Sequence, residues 1–536
     1  MLPAPAVHGA FRTDYRARAA YAEAAGIYRI LPAAICAPSD IDDLRTLVRW
    51  AAERRIPLVP RGAGSGMAGG NVGEGVVVDL TRLPQRLSIR PEERAAITSS
   101  NVTLADLNGA AHRHGLRLPP DPSSGRWATL GGMLSTNAAG ARSVRYGSVR
   151  RWVRSLELVT ADADVVRLRR GIPPMPPDAA AVRRFDEEAA PALRASAEVV
   201  SRRFPHTRKN SSGYGIDAWL ATGDLLDLVI GAEGTLGFVT EIEWLLDPEP
   251  AHRAGLRIGL RSLDEIVRVI GVLYPAQPSA VELLDRTFLD LVRSQVDVSL
   301  EGVEAVLLVE IERDDPDGLR HAVETAVDSV RDMAVGVEVA FTPRAAERLW
   351  AIRHAASPIL ASLPEDRRSL QVIEDACVPL ERMGDYIRAV RRAGAARGIP
   401  VVVFGHAGDG HVHVNLLPEV ARAGWEDAVA GILDEITDTV IRLGGTPSGE
   451  HGDGRLRAGL LGRVYGQDIV GLFARIKRAL DPLGIFAPGV IVPSEEPAIS
   501  RLKAGAKAIP LPQDIATALR EIERTGGYAK HRLELA

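Results

Sequence analysis

Histidine is the residue type that most clearly suggests chemistry in this chain. Three of its 12 histidines, His406, His411 and His413, lie close together and follow the apolar residues 401–404. On a strand, His411, His413 and Asn415 would share one face, because successive side chains alternate between the two faces. The glycines between His406 and His411 would bend the chain and let His406 turn back towards that face.

A second pair, Glu450 and His451, lies between glycines further along the chain. A carboxylate and an imidazole could complete a site with two or three histidines, since these groups are common ligands of divalent transition metals. Some of the histidines could instead be satisfied polar groups on an exposed strand. The cluster together with the glycine-flanked Glu-His pair favours a metal-binding or catalytic site over that alternative.

A glycine-rich loop at residues 61–70 offers a different chemistry. Gly64, Gly66 and Gly69 match G-x-G-x-x-G, but in a Rossmann site that pattern opens a helix and an acidic residue follows about 20 positions later. Here more glycines and then a strand follow, which argues against an NAD site. Closely spaced backbone N–H groups can still hold a phosphate, and Arg61 at the loop mouth would neutralise it. A plain turn between strands is the alternative.

Two further segments, residues 120–140 and 230–237, combine glycines with small hydroxyl or amide side chains. That composition suits close packing of the backbone against a flat ring system with polar edges. Each segment alone could be a structural turn, but together with the glycine-rich loop they favour a bound cofactor.

The elements that position these segments are predicted from hydrophobic periodicity and capping residues. The predicted elements are helices over 41–52, 103–114 (with Thr103 as N-cap) and 319–333, and strands over 57–60, 76–80 and 305–311. Residues 119–147 are predicted to be ordered loop with short helical turns, 173–203 an exposed insertion with one or two helices, and the residues after 493 a surface segment. Strand–helix alternation from about 250 to 480 indicates a second α+β layer domain.

The glycine-rich segments, in this order, resemble the flavin domain shared by vanillyl-alcohol oxidase and the glycolate, D-lactate and D-2-hydroxyglutarate dehydrogenases. The matching stretches are PRGAGSGMAGG, PPDPSSGRWATLGGMLSTNAAG, RYG, KNSSGYG and GAEGTLGFVT. The resemblance implies an α+β protein, with a vanillyl-alcohol oxidase-type FAD-binding domain and a ferredoxin-like α+β substrate (cap) domain. The expected division is an N-terminal arm (1–25), the FAD domain (26–248), the substrate domain with the metal site (249–480), and a segment returning to the FAD domain plus a tail (481–536).

The same resemblance implies FAD bound without a covalent link, because no His or Cys stands where relatives attach the flavin. The FAD-binding residues that it implies are Arg61, Gly62, Ala63, Gly64, Ser65, Gly66, Pro120, Asp121, Ser124, Thr129, Gly131, Gly132, Asn137, Gly140, Glu233, Gly234 and Gly237. Ser65 stands where the family usually has Thr, and Ala487 where it usually has Asn.

The segments HAGDGHVH and GEHG resemble the C-terminal domain of FAD-linked oxidases. The roles implied are His406, His413 and Glu450 as ligands of a divalent zinc or manganese ion, His451 as the base, and Arg353 and Asn415 as substrate contacts. His411 replaces the usual Asn and could add a ligand or tune the pocket. Residues 371–375 do not match the substrate lysine of the D-2-hydroxyglutarate enzymes, which weakens the indication of a dicarboxylate substrate.

Composition limits the other function classes. The net charge of −4 argues against nucleic-acid binding. Cys36 and Cys377 are expected to be reduced thiols, and no Cys-x-x-Cys spacing indicates an iron–sulfur or zinc-ribbon site. Neither a signal peptide nor an apolar run of about 18 residues is present. We therefore expect a cytoplasmic protein, with peripheral attachment to a membrane left open.

The predicted activity is FAD-dependent oxidation of a small D-2-hydroxy acid of the lactate, glycolate or 2-hydroxyglutarate class, assisted by a metal. We expect a homo-oligomer that passes electrons to a separate acceptor, which could be an iron–sulfur protein, a quinone or an electron-transfer flavoprotein. Three alternatives remain open: an oxidase that uses oxygen, an FAD-binding subunit of a larger redox complex, and a plain metal-binding protein.

Overall fold

The computed structural model describes residues 2–294, 301–528 and 530–536. The first sheet has the strand order β1-β2-β4-β3, with β1 antiparallel to β2 and the other pairs parallel. Its strands are β1 (Ala10–Arg12), β2 (Ala34–Ala37), β3 (Leu58–Arg61) and β4 (Val76–Asp79). Every residue of β2 and β4 is buried, as expected for parallel strands covered on both faces.

The second sheet is antiparallel throughout and has the order β10-β9-β8-β11-β6-β5. Its strands are β5 (Leu87–Arg90), β6 (Ala95–Ser99), β8 (Val153–Val159), β9 (Val165–Arg169), β10 (Ile172–Met175) and β11 (Phe238–Leu245), and a separate small ladder pairs β7 (Leu116–Arg117) with β12 (Asp247–Pro248). The glycine-rich loop lies between β3 and β4, so it leads into a strand as the sequence predicts.

The third sheet has seven strands in the order β16-β13-β15-β14-β18-β19-β17, and all neighbouring strands are antiparallel. Its strands are β13 (His252–Leu260), β14 (Ala280–Asp285), β15 (Ala305–Arg313), β16 (Gly336–Ala340), β17 (Ala376–Cys377), β18 (Val401–His406) and β19 (His411–Leu416). The first four strands stand in the order 4-1-3-2 with crossover helices at Glu265–Leu273 and Pro316–Val330. That is the ferredoxin-like arrangement, and it confirms the α+β fold class.

Local sequence signals explain where the helices begin and end. Asp40 and Thr103 each accept a hydrogen bond from the first turn of the helix that follows, which satisfies a backbone N–H that would otherwise lack a partner. The α-helices are Tyr15–Ala20, Ile41–Arg54, Leu104–His112, Leu130–Ser135, Ser143–Tyr146, Ala180–Arg184, Ala190–Ala195, Ala197–Arg203, Ile216–Thr222, Leu226–Val229, Glu265–Leu273, Arg286–Val292, Pro316–Val330, Pro343–His354, Ala356–Ala361, Met383–Arg397, Trp425–Arg442, Gly454–Ala458, Leu461–Val464, Gln467–Leu480 and Gln513–Thr525. The predicted helices and strands are confirmed, with ends shifted by a few residues.

Two segments are more ordered than the sequence indicates. Residues 180–203 form helices that bury Phe185 and Leu193 in the apolar core that includes strands of the second sheet, where Phe185 meets Trp219 edge-on at 5.5 Å. The tail contains the helix Gln513–Thr525, whose Ile515 and Leu519 pack with the helix Tyr15–Ala20. In both segments, a narrow stripe of apolar residues at helical spacing lies among charged residues, and this makes the helices hard to recognise from the sequence.

A buried ion pair joins the small β7–β12 ladder to the third sheet. Arg117 on β7 makes two hydrogen bonds, of 3.0 and 2.8 Å, to Glu312 on β15, and the Tyr146 hydroxyl donates to the same carboxylate at 2.6 Å. Burial would raise the pKa of Glu312, but Arg117 and Tyr146 lower it to about 2. The carboxylate is therefore ionised and holds the small ladder and the helix Ser143–Tyr146 against the third sheet.

Within the described residues, no helix is long and apolar enough to cross a membrane. Cys36 and Cys377 are buried, unpaired thiols, in agreement with the expectation that both are reduced.

Candidate active site

A hairpin between β18 and β19 carries the histidines. Phe404 pairs with His413, and a tight turn at Ala407–Asp409 returns the chain so that His406 meets the face of β19. Gly410 ends this turn with φ 71°, and a Cβ there would lie 2.2 Å from the Val378 carbonyl oxygen. Only glycine fits, because L side chains are disfavoured at positive φ.

Three side chains direct one atom each towards a common point. The Nε2 atoms of His406 and His413 lie 3.2 Å apart. Glu450 Oε1 lies 3.1 Å from His406 Nε2 and 3.4 Å from His413 Nε2. The structure therefore brings the three predicted ligands together, although Glu450 comes from a loop far along the chain.

The remaining polar atoms of these three side chains have other partners. His406 Nδ1 contacts the Glu282 carboxylate, and His413 Nδ1 lies 2.9 Å from the Glu374 carbonyl oxygen. Glu450 Oε2 accepts hydrogen bonds from Lys209 Nζ at 3.0 Å and from the Gly140 N–H at 2.9 Å. Histidines that bind metals usually donate their second N–H to such acceptors. Two imidazole nitrogens and one carboxylate oxygen are thus free to hold a divalent cation.

His411 lies behind these ligands. Its Nε2 is 2.8 Å from Asp375 Oδ1, and its Nδ1 is 3.3 Å from Lys209 Nζ. Burial lowers the pKa of His411 to about 3, so the ring is neutral. Both ring nitrogens are engaged, which favours tuning of the pocket over a ligand role.

His451 is placed beside the three ligands and is partly exposed. Its ring stacks on His413 at 5.3 Å, and its Nε2 lies 3.7 Å from Glu450 Oε1. Nδ1 lies 3.4 Å from both Glu374 Oε2 and Asp375 Oδ1. Burial alone would lower the pKa of His451, but these carboxylates raise it to about 10. A cation held by Glu450 would oppose this protonation through Coulomb repulsion.

Asp375 organises the loop that carries Glu450 and His451. Its carboxylate accepts the backbone N–H of His451 at 2.8 Å and the Ser448 hydroxyl at 2.6 Å. Burial would raise its pKa, but His451 and the other donors hold it far below the usual range. An ionised carboxylate therefore fixes both functional residues from behind.

The two predicted substrate contacts lie at the edge of the cluster. Arg353 Nε lies 3.2 Å from Glu282 Oε2, and its guanidinium covers the Phe404 ring at 4.4 Å. Glu282 therefore connects Arg353 to His406. Asn415 Oδ1 accepts hydrogen bonds of 3.0 Å from both Ser369 and Gln371.

Sequence reasoning missed Glu282, Glu374 and Asp375 as functional residues. The available signal was a carboxylate inside an apolar strand, since β14 reads AVELLD and all six residues are buried. A buried carboxylate requires a partner, and for Glu282 the partners are His406 and Arg353.

An open cavity runs from the glycine-rich loop to Glu450 and His451. The predicted FAD-binding residues that line it are Arg61, Gly62, Ala63, Gly64, Ser65, Gly66, Ser124, Thr129, Gly131, Gly132, Glu233, Gly234 and Gly237. Glycine lets the loop backbone pack closely against its neighbours in this wall: a Cβ on Gly62 would lie 2.3 Å from Thr129 Oγ1. The cavity is therefore continuous from the glycine-rich loop to two residues of the histidine cluster, Glu450 and His451.

Several predicted residues have a different place from the one expected. The Arg61 guanidinium is not at the loop mouth: it is buried beneath Gly64 and donates to the carbonyl oxygens of Tyr21 and Glu23. It supports the loop from behind, because these two carbonyl oxygens hold the guanidinium on the inner side of the loop.

Four predicted FAD residues, all in the described part of the chain, do not line the cavity: Pro120, Asp121, Asn137 and Gly140. Asp121 instead accepts from Arg142, and Asn137 from the Arg150 N–H. Ala487 adopts φ 39°, a left-handed conformation that asparagine tolerates better than alanine. The family's usual Asn at this position thus has a backbone explanation.

Comparison with known proteins agrees with this architecture. Residues 32–169 match a family model described as FAD binding domain, and residues 249–491 one described as FAD linked oxidases, C-terminal domain. Among solved structures, p-cresol methylhydroxylase aligns with a TM-score of 0.65 at 13% identity, over 90% of this chain and 94% of that one. The fold and the matches define an FAD-dependent oxidoreductase.

Curated relatives narrow the class. D-lactate dehydrogenase of Archaeoglobus fulgidus is 31% identical over 85% of this chain and 90% of its own length. Glycolate oxidase subunit GlcD of Bacillus subtilis is 29% identical over 86% of this chain and 89% of its own length. D-2-hydroxyglutarate dehydrogenase of Escherichia coli is 26% identical over 90% of this chain but only 50% of its own length. The chain belongs to this family of FAD-linked oxidoreductases.

Proposed function

We propose that the chain oxidises a small D-2-hydroxy acid to the 2-oxo acid, with non-covalently bound FAD and a divalent zinc or manganese ion. The observation that carries this proposal is that Glu450 and His451 line the same cavity as the glycine-rich loop. When bound, FAD would supply the acceptor for the hydride of the α-carbon, and a divalent cation would supply a Lewis acid for the substrate oxygens.

His406, His413 and Glu450 would hold the cation. Their orientation is set before any ion binds, because Glu282, the Glu374 carbonyl and Lys209 occupy their remaining polar atoms. A prearranged ligand set of this kind binds metal more tightly than one that must be ordered on binding.

His451 would take the hydroxyl proton on Nε2. The carboxylates of Glu374 and Asp375 surround its Nδ1 and would stabilise the imidazolium that forms, as a buried carboxylate does for a general-base histidine. The stacked His413 ring keeps His451 facing the cavity.

Arg353 would bind the substrate carboxylate, since a guanidinium offers two parallel donors to two oxygens. Asn415 would add a contact from the same face of β19 as His413. The relatives named for lactate, glycolate and 2-hydroxyglutarate support this substrate class. Gln371, which donates to Asn415, stands in the region of the second carboxylate contact and favours a monocarboxylate.

We further propose that a separate acceptor, either an iron–sulfur protein, a quinone or an electron-transfer flavoprotein, reoxidises the flavin of a cytoplasmic homo-oligomer. The experiment that tests the function is an anaerobic screen of D- and L-lactate, glycolate, and D- and L-2-hydroxyglutarate for bleaching of the flavin absorbance. Rapid bleaching by at least one D-acid or by glycolate is expected. Absence of bleaching by every acid with the metal-loaded protein would contradict the proposal.

A further inference from the structure

The C-terminal tail (residues 492–536) and the N-terminal segment (residues 2–31) both lie outside the two family models. They pack against each other. The Arg29 N–H donates to the Arg501 carbonyl at 2.8 Å, and the Lys503 N–H donates to the Ile27 carbonyl at 2.9 Å. The helices Tyr15–Ala20 and Gln513–Thr525 share an apolar cluster. The tail is therefore an ordered part of this protein.

The end of the tail lies against the FAD-binding half. The Tyr528 ring is 6.3 Å from Trp127, and His531 Nδ1 is 3.3 Å from Thr81 Oγ1. Thr81 follows Leu80, and Trp127 precedes Ala128. Both Leu80 and Ala128 line the cavity that begins at the glycine-rich loop. In two places, the tail therefore contacts a residue that is next in sequence to a residue of the cavity wall.

Arg532 is the unusual residue of this tail. It is only 5% exposed, and its Nε and Nη1 atoms are buried with no hydrogen-bond partner among the described residues. The Tyr528 ring lies 5.8 Å from its guanidinium. Burial, and then the positive charge of Arg61, lower the pKa of Arg532 to about 10.

The nearby acidic groups are already engaged. Glu23 pairs with Arg29 at 2.5 Å, and Asp79 accepts from the hydroxyls of Tyr21 and Thr81. Two buried guanidinium groups, those of Arg61 and Arg532, therefore lie near each other, and Arg532 has no ion pair with any residue that the structure describes. Burying an unpaired charge is costly, so this arrangement calls for an anion that binds nearby.

We propose that Arg532, which the C-terminal tail supplies, is a positioning residue for FAD: it does not line the cavity itself, and its charge, next to that of Arg61, compensates the FAD diphosphate from behind the glycine-rich loop. The diphosphate carries two negative charges, and the loop presents backbone N–H groups to it. Arg61 lies directly beneath Gly64 of that loop, so the two guanidinium groups place positive charge on its far side. The proposal rests on FAD binding alone and not on the substrate.

The test uses FAD-free full-length protein and measures two properties. One is the affinity for FAD, from the quenching of flavin fluorescence at low and high salt. The other is the melting temperature of the FAD-free protein. The variants are Arg532→Leu and Arg532→Lys, and the matched control is Arg524→Leu, whose arginine is exposed on the tail helix.

Arg532→Leu should weaken FAD binding about 10- to 100-fold, the range expected for losing a charge-assisted interaction. It should also reduce the salt dependence of binding. Its FAD-free form should melt at the same or a higher temperature, because a buried unpaired charge is removed. Arg532→Lys should keep most of the affinity, and Arg524→Leu should behave like the wild type.

Wild-type FAD affinity in Arg532→Leu would overturn the proposal, as would a lower melting temperature with unchanged affinity, which indicates a purely structural arginine. If that variant does not fold, hydrogen exchange of the wild-type protein decides: FAD should protect residues 526–528 and 530–536, and unchanged exchange there would refute the role. Failure of the wild type to bind FAD would instead contradict the proposed function itself.

Discussion

Replacing Glu282 by Gln tests whether the residues behind the histidines prepare the metal site. Glu282 lies on β14, contacts His406 Nδ1 and also holds Arg353. The glutamine has the same shape but lacks the charge. It would no longer orient the His406 ring with a carboxylate or raise its basicity.

The expected magnitude follows from this single lost interaction. Mutating a carboxylate that supports a metal-binding histidine costs about 10- to 100-fold in metal affinity, equivalent to about 1.4–2.8 kcal/mol. Because Glu282 also restrains Arg353, the substrate KM should rise in the same variant. FAD binding should stay unchanged, since Glu282 is not among the residues that line the FAD cavity.

The assay is calorimetric titration of metal-free protein with Zn²⁺ and with Mn²⁺, alongside the flavin absorbance of each preparation. Glu338→Gln is the matched control, because Glu338 is an exposed glutamate on β16 of the same sheet and pairs with Arg257. An affinity in Glu282→Gln equal to that of the wild type would refute the view that Glu282 prepares His406 for metal binding.

Three further predictions concern the same region. Glu450→Gln should retain FAD but lose the bound divalent ion, measured by elemental analysis; full metal occupancy would remove Glu450 from the ligand set. His451→Ala should bind FAD and metal normally yet show no bleaching by substrate in anaerobic stopped flow, and bleaching at the wild-type rate would exclude it as the base. Arg117→Met should destabilise the protein by about 1–3 kcal/mol, because Glu312 would lose two charged hydrogen bonds while Arg253 and Tyr146 still hold it; an unchanged unfolding midpoint in urea would show that this ion pair does not join the small ladder to the third sheet.

Much of the fold follows from local signals in the sequence. Asp40 and Thr103 are side-chain caps that mark helix starts, and the apolar run of β4 marks a buried strand. The glycine-rich loop was correctly separated from a Rossmann site, because a strand follows it and not a helix. The tail helix was missed, since its apolar stripe is narrow and its packing partner lies near the other end of the chain.

The residues of the candidate site also divide into those that the sequence reveals and those that it does not. His406, His413, Glu450 and His451 are recognisable from residue type and spacing. Glu282 and Lys209 are not, because their partners lie more than a hundred residues away in sequence, and only the sheet order brings them together. The predicted position of the Arg61 side chain was wrong for a related reason. The sequence shows that an arginine stands at the start of the loop, but whether its side chain points out of or into the protein depends on the carbonyl groups of Tyr21 and Glu23.

The most direct test of the account follows a single sample of holoenzyme through metal removal and return. The rate of anaerobic flavin bleaching by the best D-2-hydroxy acid is measured first, then after chelation, and then after adding Zn²⁺ or Mn²⁺. We predict that chelation abolishes bleaching while the oxidised flavin spectrum persists, and that the added metal restores the rate. Bleaching at the original rate in protein shown to be free of metal would contradict the central claim that His406, His413 and Glu450 hold a cation needed for the oxidation.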